Sequence, residues 1–261
     1  MTLSMVIINA DDFGMSSTVN NAILSSVEQG LVTSTSIMAN MPGFEEAAKL
    51  AREHHKLHGR VGVHLNLTEG KPLTQNILTC QLFCDANGLF YFKRERPIFR
   101  LGKRVKDAAY EELRTQLQKV VEAGIKPTHL DSHHHIHTEW AIVPIVCRLA
   151  KEFRIPRIRL TRNMGRQPSF LKRVYKTIFN RWQLGRHKWL SNTDLFGDVA
   201  DMLYRSRTGW PLGKKIEIMV HPLFNENGEL LDLNRQLLQP QLEPILRQPL
   251  NLSLLKSELH S

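Results

Sequence analysis

Apolar runs of strand length alternate with stretches of helical period along most of the chain. "MVIIN" (5–9) is a short run of the kind a buried strand shows, and "SSTVNNAILSSVEQG" (16–30) repeats Val19, Ile23 and Val27 at helical spacing before Gly30 stops it. "TSTSIMAN" (33–40) reads as a β-branched strand, "GFEEAAKLAREHH" (43–55) as a helix and "RVGVHLNL" (60–67) as a strand again. A loop-rich insertion occupies roughly 70–100. Beyond it, "KDAAYEELRTQLQKVVEAG" (106–124) is a long amphipathic helix closed by Gly124. "PTHLDSHHH" (127–135) predicts a strand, "WAIVPIVCRLAKEF" (140–153) a helix, "RIRL" (157–160) a short strand, and "KKIEIMVHP" (214–222) a late strand that its proline ends. Such alternation predicts an α/β fold: a mostly parallel sheet with right-handed crossovers, open or closed into a barrel. No internal repeat, low-complexity tract or linker divides the chain, so one domain over 1–261 is expected, although no pattern says how the segment after about residue 230 packs.

Polar residues fall at one recurrent place in this pattern. Asp11 and Asp12 follow "VIINA", His64 sits late in "VGVHLNL", His133 follows "THLDS", and His221 closes "IEIMV". Each lies near the C-terminal end of a different predicted strand, and in parallel α/β folds those ends gather on the face where active sites are built.

Each candidate also has a purely structural reading. An aspartate at a strand end often starts a turn or caps the next helix, and Gly14 would serve that turn. Two consecutive buried carboxylates instead repel one another unless a cation or proton lies between them. Strand neighbours point to opposite faces, so Asp11 and Asp12 can share a site only if the backbone bends, as Gly14 allows. A histidine alone on an apolar strand is more often a hydrogen-bonded core residue. For His64 the flanking Gly62 and the polar loop beyond it set the ligand reading beside that one. "HLDSHHHIH" (129–137) packs five histidines and an aspartate into nine positions. If the strand continues, His129, Asp131, His133, His135 and His137 share one face while Leu130, His134 and Ile136 take the other. An ion needs only a few of these. His133, first past the apolar run, is the expected ligand, Asp131 a natural partner for a histidine Nδ1, and His135 and His137 are left to orient ligands or meet substrate. His221 before a proline reads as a turn residue, or as a general acid of near-neutral pKa.

Several chemistries lose their main support. There is no G-x-S-x-G, no H-E-x-x-H, no Walker-type loop and no G-x-G-x-x-G after the first strand. One aspartate and two histidines from three strands suit a metal that activates water. With 42% apolar and 23% charged residues the composition is that of a globular enzyme, and no apolar run approaches a membrane span. The N-terminus has no basic region ahead of its apolar run, so a cytoplasmic location and no membrane partner are expected. Cys80, Cys84 and Cys147 form no C-x-x-C pair and read as reduced thiols. The net charge of +10 is concentrated in 148–188, where Glu152 is the one acid. That segment reads first as a solvated basic face, ahead of a positive rim for anionic substrates; nucleic acid is not expected as a partner.

"NADDFG" (9–14), "TSTS" (33–36), "GVHLNLTEGKPLT" (62–74), "KPTHLDSHHHIH" (126–137) and "MVHP" (219–222) together resemble, in order, the motifs of the YdjC-like carbohydrate deacetylases, a family that includes chitooligosaccharide deacetylases. The resemblance spans most of the first 222 residues. It implies a distorted, TIM-like (βα) barrel of mostly parallel strands with the site at their C-terminal ends, and hydrolysis of the acetamide of N-acetylated sugars. It also implies a homodimer and a divalent ion, Mg2+ in the family, held by Asp12, His64 and His133. Asp11 would be the general base and His221 the proposed acid. Two imidazoles suit Zn2+, Co2+ or Ni2+ better than Mg2+, which prefers oxygen. The chain departs from the family pattern in the basic stretch 162–195, where no motif aligns, and from Leu233 onward, where the expected closing strand and aromatic ending are missing. A sugar- or metal-binding protein without turnover is the alternative on the same fold, and a basic protein that binds nucleic acid through 148–188 is the other.

Overall fold

The computed structural model describes residues 4–92, 97–165, 169–207, 209–248 and 250–251. In chain order the elements are β1 (Ser4–Phe13), α1 (Ser17–Glu28), β2 (Ser34–Ile37), α2 (Phe44–Glu53), β3 (Val61–Leu65), α3 (Gln75–Leu78), α4 (Lys103–Glu122) and β4 (Leu130–Ser132). There follow α5 (Val143–Glu152), α6 (Phe170–Phe179), β5 (Leu195–Asp198), α7 (Val199–Ser206), β6 (Lys215–Val220), β7 (Leu223–Phe224), β8 (Leu230–Leu231), α8 (Leu238–Leu246) and β9 (Leu250–Asn251). Among the described residues no helix is long and apolar enough to cross a membrane.

The main sheet runs in the order β4-β3-β2-β1-β6-β5, and every pairing in it is parallel. Its two edges are joined by 157–164. Leu130 N–H donates to the Arg157 carbonyl and Arg159 N–H to the Leu130 carbonyl, both at 2.9 Å, and Asn163 N–H donates to the Phe196 carbonyl of β5 at 3.0 Å. The predicted strand "RIRL" is thus a single parallel bridge between Leu130 and Ile158, yet it completes a distorted barrel. Only one bridge forms because the segment must turn from the edge of β4 to the edge of β5 within a few residues.

The helices cover the outside by the expected periodicity. On α1, Val19, Ala22, Ile23, Ser26 and Val27 are buried, and the Ser16 hydroxyl caps the helix by accepting from Val19 N–H. On α4, Leu113, Gln116, Leu117 and Val120 face inward. These helices meet Val6, Ile8 and Ala10 of β1 in one apolar cluster. The insertion adds to this same cluster, with the Phe83 and Phe92 rings edge to face at 5.7 Å. Unanticipated from the sequence are α6 in the basic stretch, β5 and α7 just after it, and the antiparallel hairpin β7–β8. The closing strand expected to be missing is present in short form: β9 pairs in parallel with Ser4 and Met5 at the start of β1. The last residues, 252–261, lie outside the described residues.

Candidate active site

Two adjacent aspartates share a site because the backbone bends at the second of them. Asp12 has φ of 70°, a left-handed conformation, and the register of β1 against β2 shifts between Ala10 and Phe13. The bulge re-aims Asp12 to the side its neighbour already faces. Asp12 O then accepts from Met15 N–H in the turn that Gly14, at φ 93°, continues. The bend anticipated at Gly14 therefore begins two residues earlier, at a residue type that tolerates this conformation better than most.

Asp12, His64 and His133 come together at the end of β1, β3 and β4. His64 Nε2 is 3.1 Å and His133 Nδ1 2.9 Å from the same oxygen, Asp12 Oδ1. The ligand atoms of the three all lie within 4.8 Å of one another, and one carboxylate with two imidazoles is a donor set that fits a divalent cation. On the far side of the ring, His64 Nδ1 donates to Asp131 Oδ1 at 2.8 Å, which turns Nε2 toward Asp12. Asp131 is the register partner of His64 across β3 and β4, so the predicted histidine partner of Asp131 is found on the neighbouring strand rather than two residues along its own. Burial pulls His64 toward the neutral form, but the charges of Asp131 and Asp12 outweigh it and push its pKa up to about 10. Burial likewise raises the Asp12 pKa, and His133 and His64 overcome it, holding the carboxyl well below its ordinary range.

Asp11, His64 and Asp131 form a second close trio, but its carboxylates are already engaged. Arg159, fully buried, grips Asp11 with both ends of its fork, Nη1 to Oδ2 at 2.6 Å and Nη2 to Oδ1 at 2.7 Å. The same guanidinium reaches Asp131 Oδ2 at 2.8 Å and, through Nε, Glu217 Oε1 at 2.6 Å. Burial alone would raise the Asp11 pKa; the Arg159 charge and hydrogen bonds reverse the sign and keep it ionised far into acid. Asn9 and Ser36 complete the network, Asn9 Nδ2 donating to Asp11 Oδ1 and Ser36 Oγ to Asp131 Oδ2, each at 2.8 Å. Arg159 was hidden in the segment read as a solvated basic face. The available signal was alternation in "RIRL", which puts Arg157 and Arg159 on one side of an apolar strand; both are buried.

The histidine tract is not a continuing strand. β4 ends at Ser132, and 133–138 is a tight turn in which His134 and His135 have φ of 49° and 55°. Alternation therefore fails beyond Ser132. His134, expected to point away, lines the site with its ring 4.0 Å from that of His133 and Nδ1 3.1 Å from Thr68 Oγ1. His135 also lines the cavity, packed edge-on to Phe196. His137 is buried beneath the turn with Nδ1 2.6 Å from Ser132 Oγ, a hydroxyl that also accepts His137 N–H. His129 lies one layer down, its ring filling the space over Gly62: a Cβ at that glycine would come within 2.4 Å of it.

The loop after β3 supplies a residue that sequence reasoning quoted but gave no role. Glu69 Oε2 is 3.0 Å from His133 Nε2. Asn66 Oδ1 accepts from Thr68 N–H and Glu69 N–H, fixing the turn, and Glu112 of α4 accepts from Leu73 N–H, Thr74 N–H and the Thr74 hydroxyl. "NLTEGKPLT" is thus held from below by a buried glutamate about 40 residues away in sequence. The cavity above has a volume of about 1010 Å³, with Asp11, Asp12, His64 and His133 in its wall beside Met15, Tyr91 and Phe92. His221 lies on the same wall, with Nε2 3.9 Å from Asp11 Oδ2, and its backbone N–H donates to Asp232 Oδ1 at 2.7 Å.

Comparison with known proteins agrees with this architecture. A crystal structure from Enterococcus faecalis V583, described as a cellobiose-phosphate cleavage protein, shares the fold at a TM-score of 0.73 and 24% identity, covering 98% of this chain and 99% of its own. A carbohydrate deacetylase of Brevibacillus brevis is 37% identical over 225 residues, 86% of this chain and 84% of that protein. One of Geobacillus stearothermophilus is 36% identical over 84% of this chain and 79% of its own. The family model for YdjC-like proteins matches residues 5–247, a span that includes Asp11, Asp12, His64, His133 and His221, and the chain belongs to the YdjC-like family.

Proposed function

We propose that this protein is a metal-dependent hydrolase that removes the acetyl group from N-acetylated sugars. The observation that carries the reading is the convergence of Asp12, His64 and His133 beside Asp11, a carboxylate kept ionised by Arg159, in the wall of a cavity large enough for a sugar. That the relatives above are carbohydrate deacetylases supports the substrate class.

A divalent ion held by Asp12, His64 and His133 would supply Lewis acidity, polarising the acetamide carbonyl and acidifying water. Asp11 accepts the proton as water oxygen bonds to the carbonyl carbon. Arg159 lowers the proton affinity of Asp11, so what it contributes is fixed aim and permanent ionisation rather than intrinsic basicity. His221 is the group that protonates the departing amine as the C–N bond breaks, leaving acetate and an amino sugar. Tyr91 and Phe92 line the cavity and supply apolar surface beside the sugar. The resemblance points to Mg2+, whereas the two imidazoles favour Zn2+, Co2+ or Ni2+.

The test is acetate release from defined N-acetylated oligosaccharides by metal-stripped protein resupplied with single divalent ions. Turnover should return with particular ions and be lost in His64→Ala and Asp11→Asn. Stoichiometric sugar binding with no acetate from any ion would sink the hydrolase reading in favour of a binding protein.

A further inference from the structure

Most cations of the basic stretch are exposed, as its composition suggested, but large apolar side chains are exposed among them. On one side, α6 and the turn after it are anchored: Phe179 is buried with its ring 5.4 Å from that of Trp140, Tyr175 OH accepts from Trp140 Nε1 at 2.7 Å, and Asn180 Oδ1 accepts from Thr161 N–H. On the other side, large apolar side chains stand in the open. Leu171 is 77% exposed, Trp182 71%, Phe170 69% and Ile178 44%. Leu171, Val174 and Ile178 recur at i, i+3 and i+7, which puts them on one stripe of α6, and Trp182 lies in the π turn Asn180–Leu184 that continues it. Lys172, Arg173 and Arg181 are exposed in the same segment, and Arg186, Lys188 and Trp189 follow it; 169–190 contains no Asp or Glu.

We infer that α6 is an interfacial helix that seats this protein on an anionic lipid bilayer. Exposed aliphatic and tryptophan side chains in one segment whose charged residues are all cations are the pattern of helices that lie in the plane of a membrane surface. The two rival occupants fit less well. A second copy meeting this face about a two-fold axis would bring Arg173 and Arg181 against their own like charges. A nucleic acid would meet Leu171 and Ile178 at the centre of the patch, where bases gain neither stacking nor a hydrogen bond. A bilayer takes the apolar stripe into its acyl boundary and sets phosphates opposite the cations.

The experiment is co-sedimentation of the full chain with phosphatidylcholine vesicles and with vesicles in which part of the lipid is phosphatidylglycerol. Binding to the anionic vesicles should exceed that to neutral ones by roughly tenfold or more, shift tryptophan emission to the blue and weaken in about 0.5 M salt. Leu171→Asp with Ile178→Asp should abolish it, leaving circular dichroism and the melting temperature unchanged because both side chains face solvent. Equal or absent binding to the two vesicle types overturns the inference. So does undiminished binding by the double variant, a dimer in light scattering that the variant dissociates, or binding to a single-stranded oligonucleotide in preference to vesicles.

Discussion

Arg159 is the residue on which the polar interior depends. Three buried carboxylates, Asp11, Asp131 and Glu217, meet one guanidinium, and each is within 2.8 Å of it. Replacing it by Met strands those charges, so Arg159→Met should lose about 3–5 kcal/mol of stability, read as a lowered urea midpoint. Arg159→Lys retains the charge without the fork, and its expected signature is a fall in kcat larger than any rise in KM. Wild-type kcat for Arg159→Lys would contradict the positioning role. His64 sets a second expectation, about pH. Its pKa in the fold, about 10, is above the ordinary 6.5, so its protonated form stabilises the metal-free protein fully below about pH 6.5 and the contribution is lost as pH rises through 10. A cation at Nε2 must displace that proton. Metal affinity should therefore tighten by roughly tenfold per unit between about pH 7 and about pH 9, with proton release seen by calorimetry in buffers of different ionisation heat. An affinity flat across that range would show that His64 is not a ligand.

At the scale of elements, β3 and β4 are matched through Gly62 and His129. Gly62→Ala drives a methyl into the imidazole and should cost about 1–3 kcal/mol by overpacking. Adding His129→Ala opens the space, and a double-mutant cycle by chemical denaturation should recover most of the loss. Independent, additive losses would mean the contact is not what selects glycine. This pairing also marks where sequence reading stops. Alternation predicted the strands through Gly62, His64, Asp131 and Asp11, because a parallel strand covered by helices must be apolar outward whatever lies inside. It failed after Ser132, where two left-handed residues replace extension with a turn and bring His134 to the cavity. It also overlooked α6, which lies in the basic stretch and buries only Phe179, and the short α7 beyond it.

For the whole molecule, the proposed metal links β1, β3 and β4, which come from distant parts of the chain, so its binding should stabilise the fold as a unit. At a hundredfold excess over Kd the linkage is worth about 2.7 kcal/mol, or a rise of about 5–10 °C in melting temperature. Calorimetry should show this rise with an activating ion and lose it in His64→Ala; an unchanged melting temperature would argue that no ion binds there.

The sequence by itself determined the α/β alternation, the strand ends at which Asp11, Asp12, His64, His133 and His221 stand, and the family resemblance, because periodicity and residue type are local properties of the chain. Only the tertiary structure decided that 157–164 joins the two sheet edges, that Arg159 lies inside among three carboxylates, and that Glu69 meets His133. Those are contacts between residues far apart in the chain, 64 positions for Glu69 and His133 and 148 for Asp11 and Arg159, and which charges meet depends on strand order and register, which no local pattern encodes.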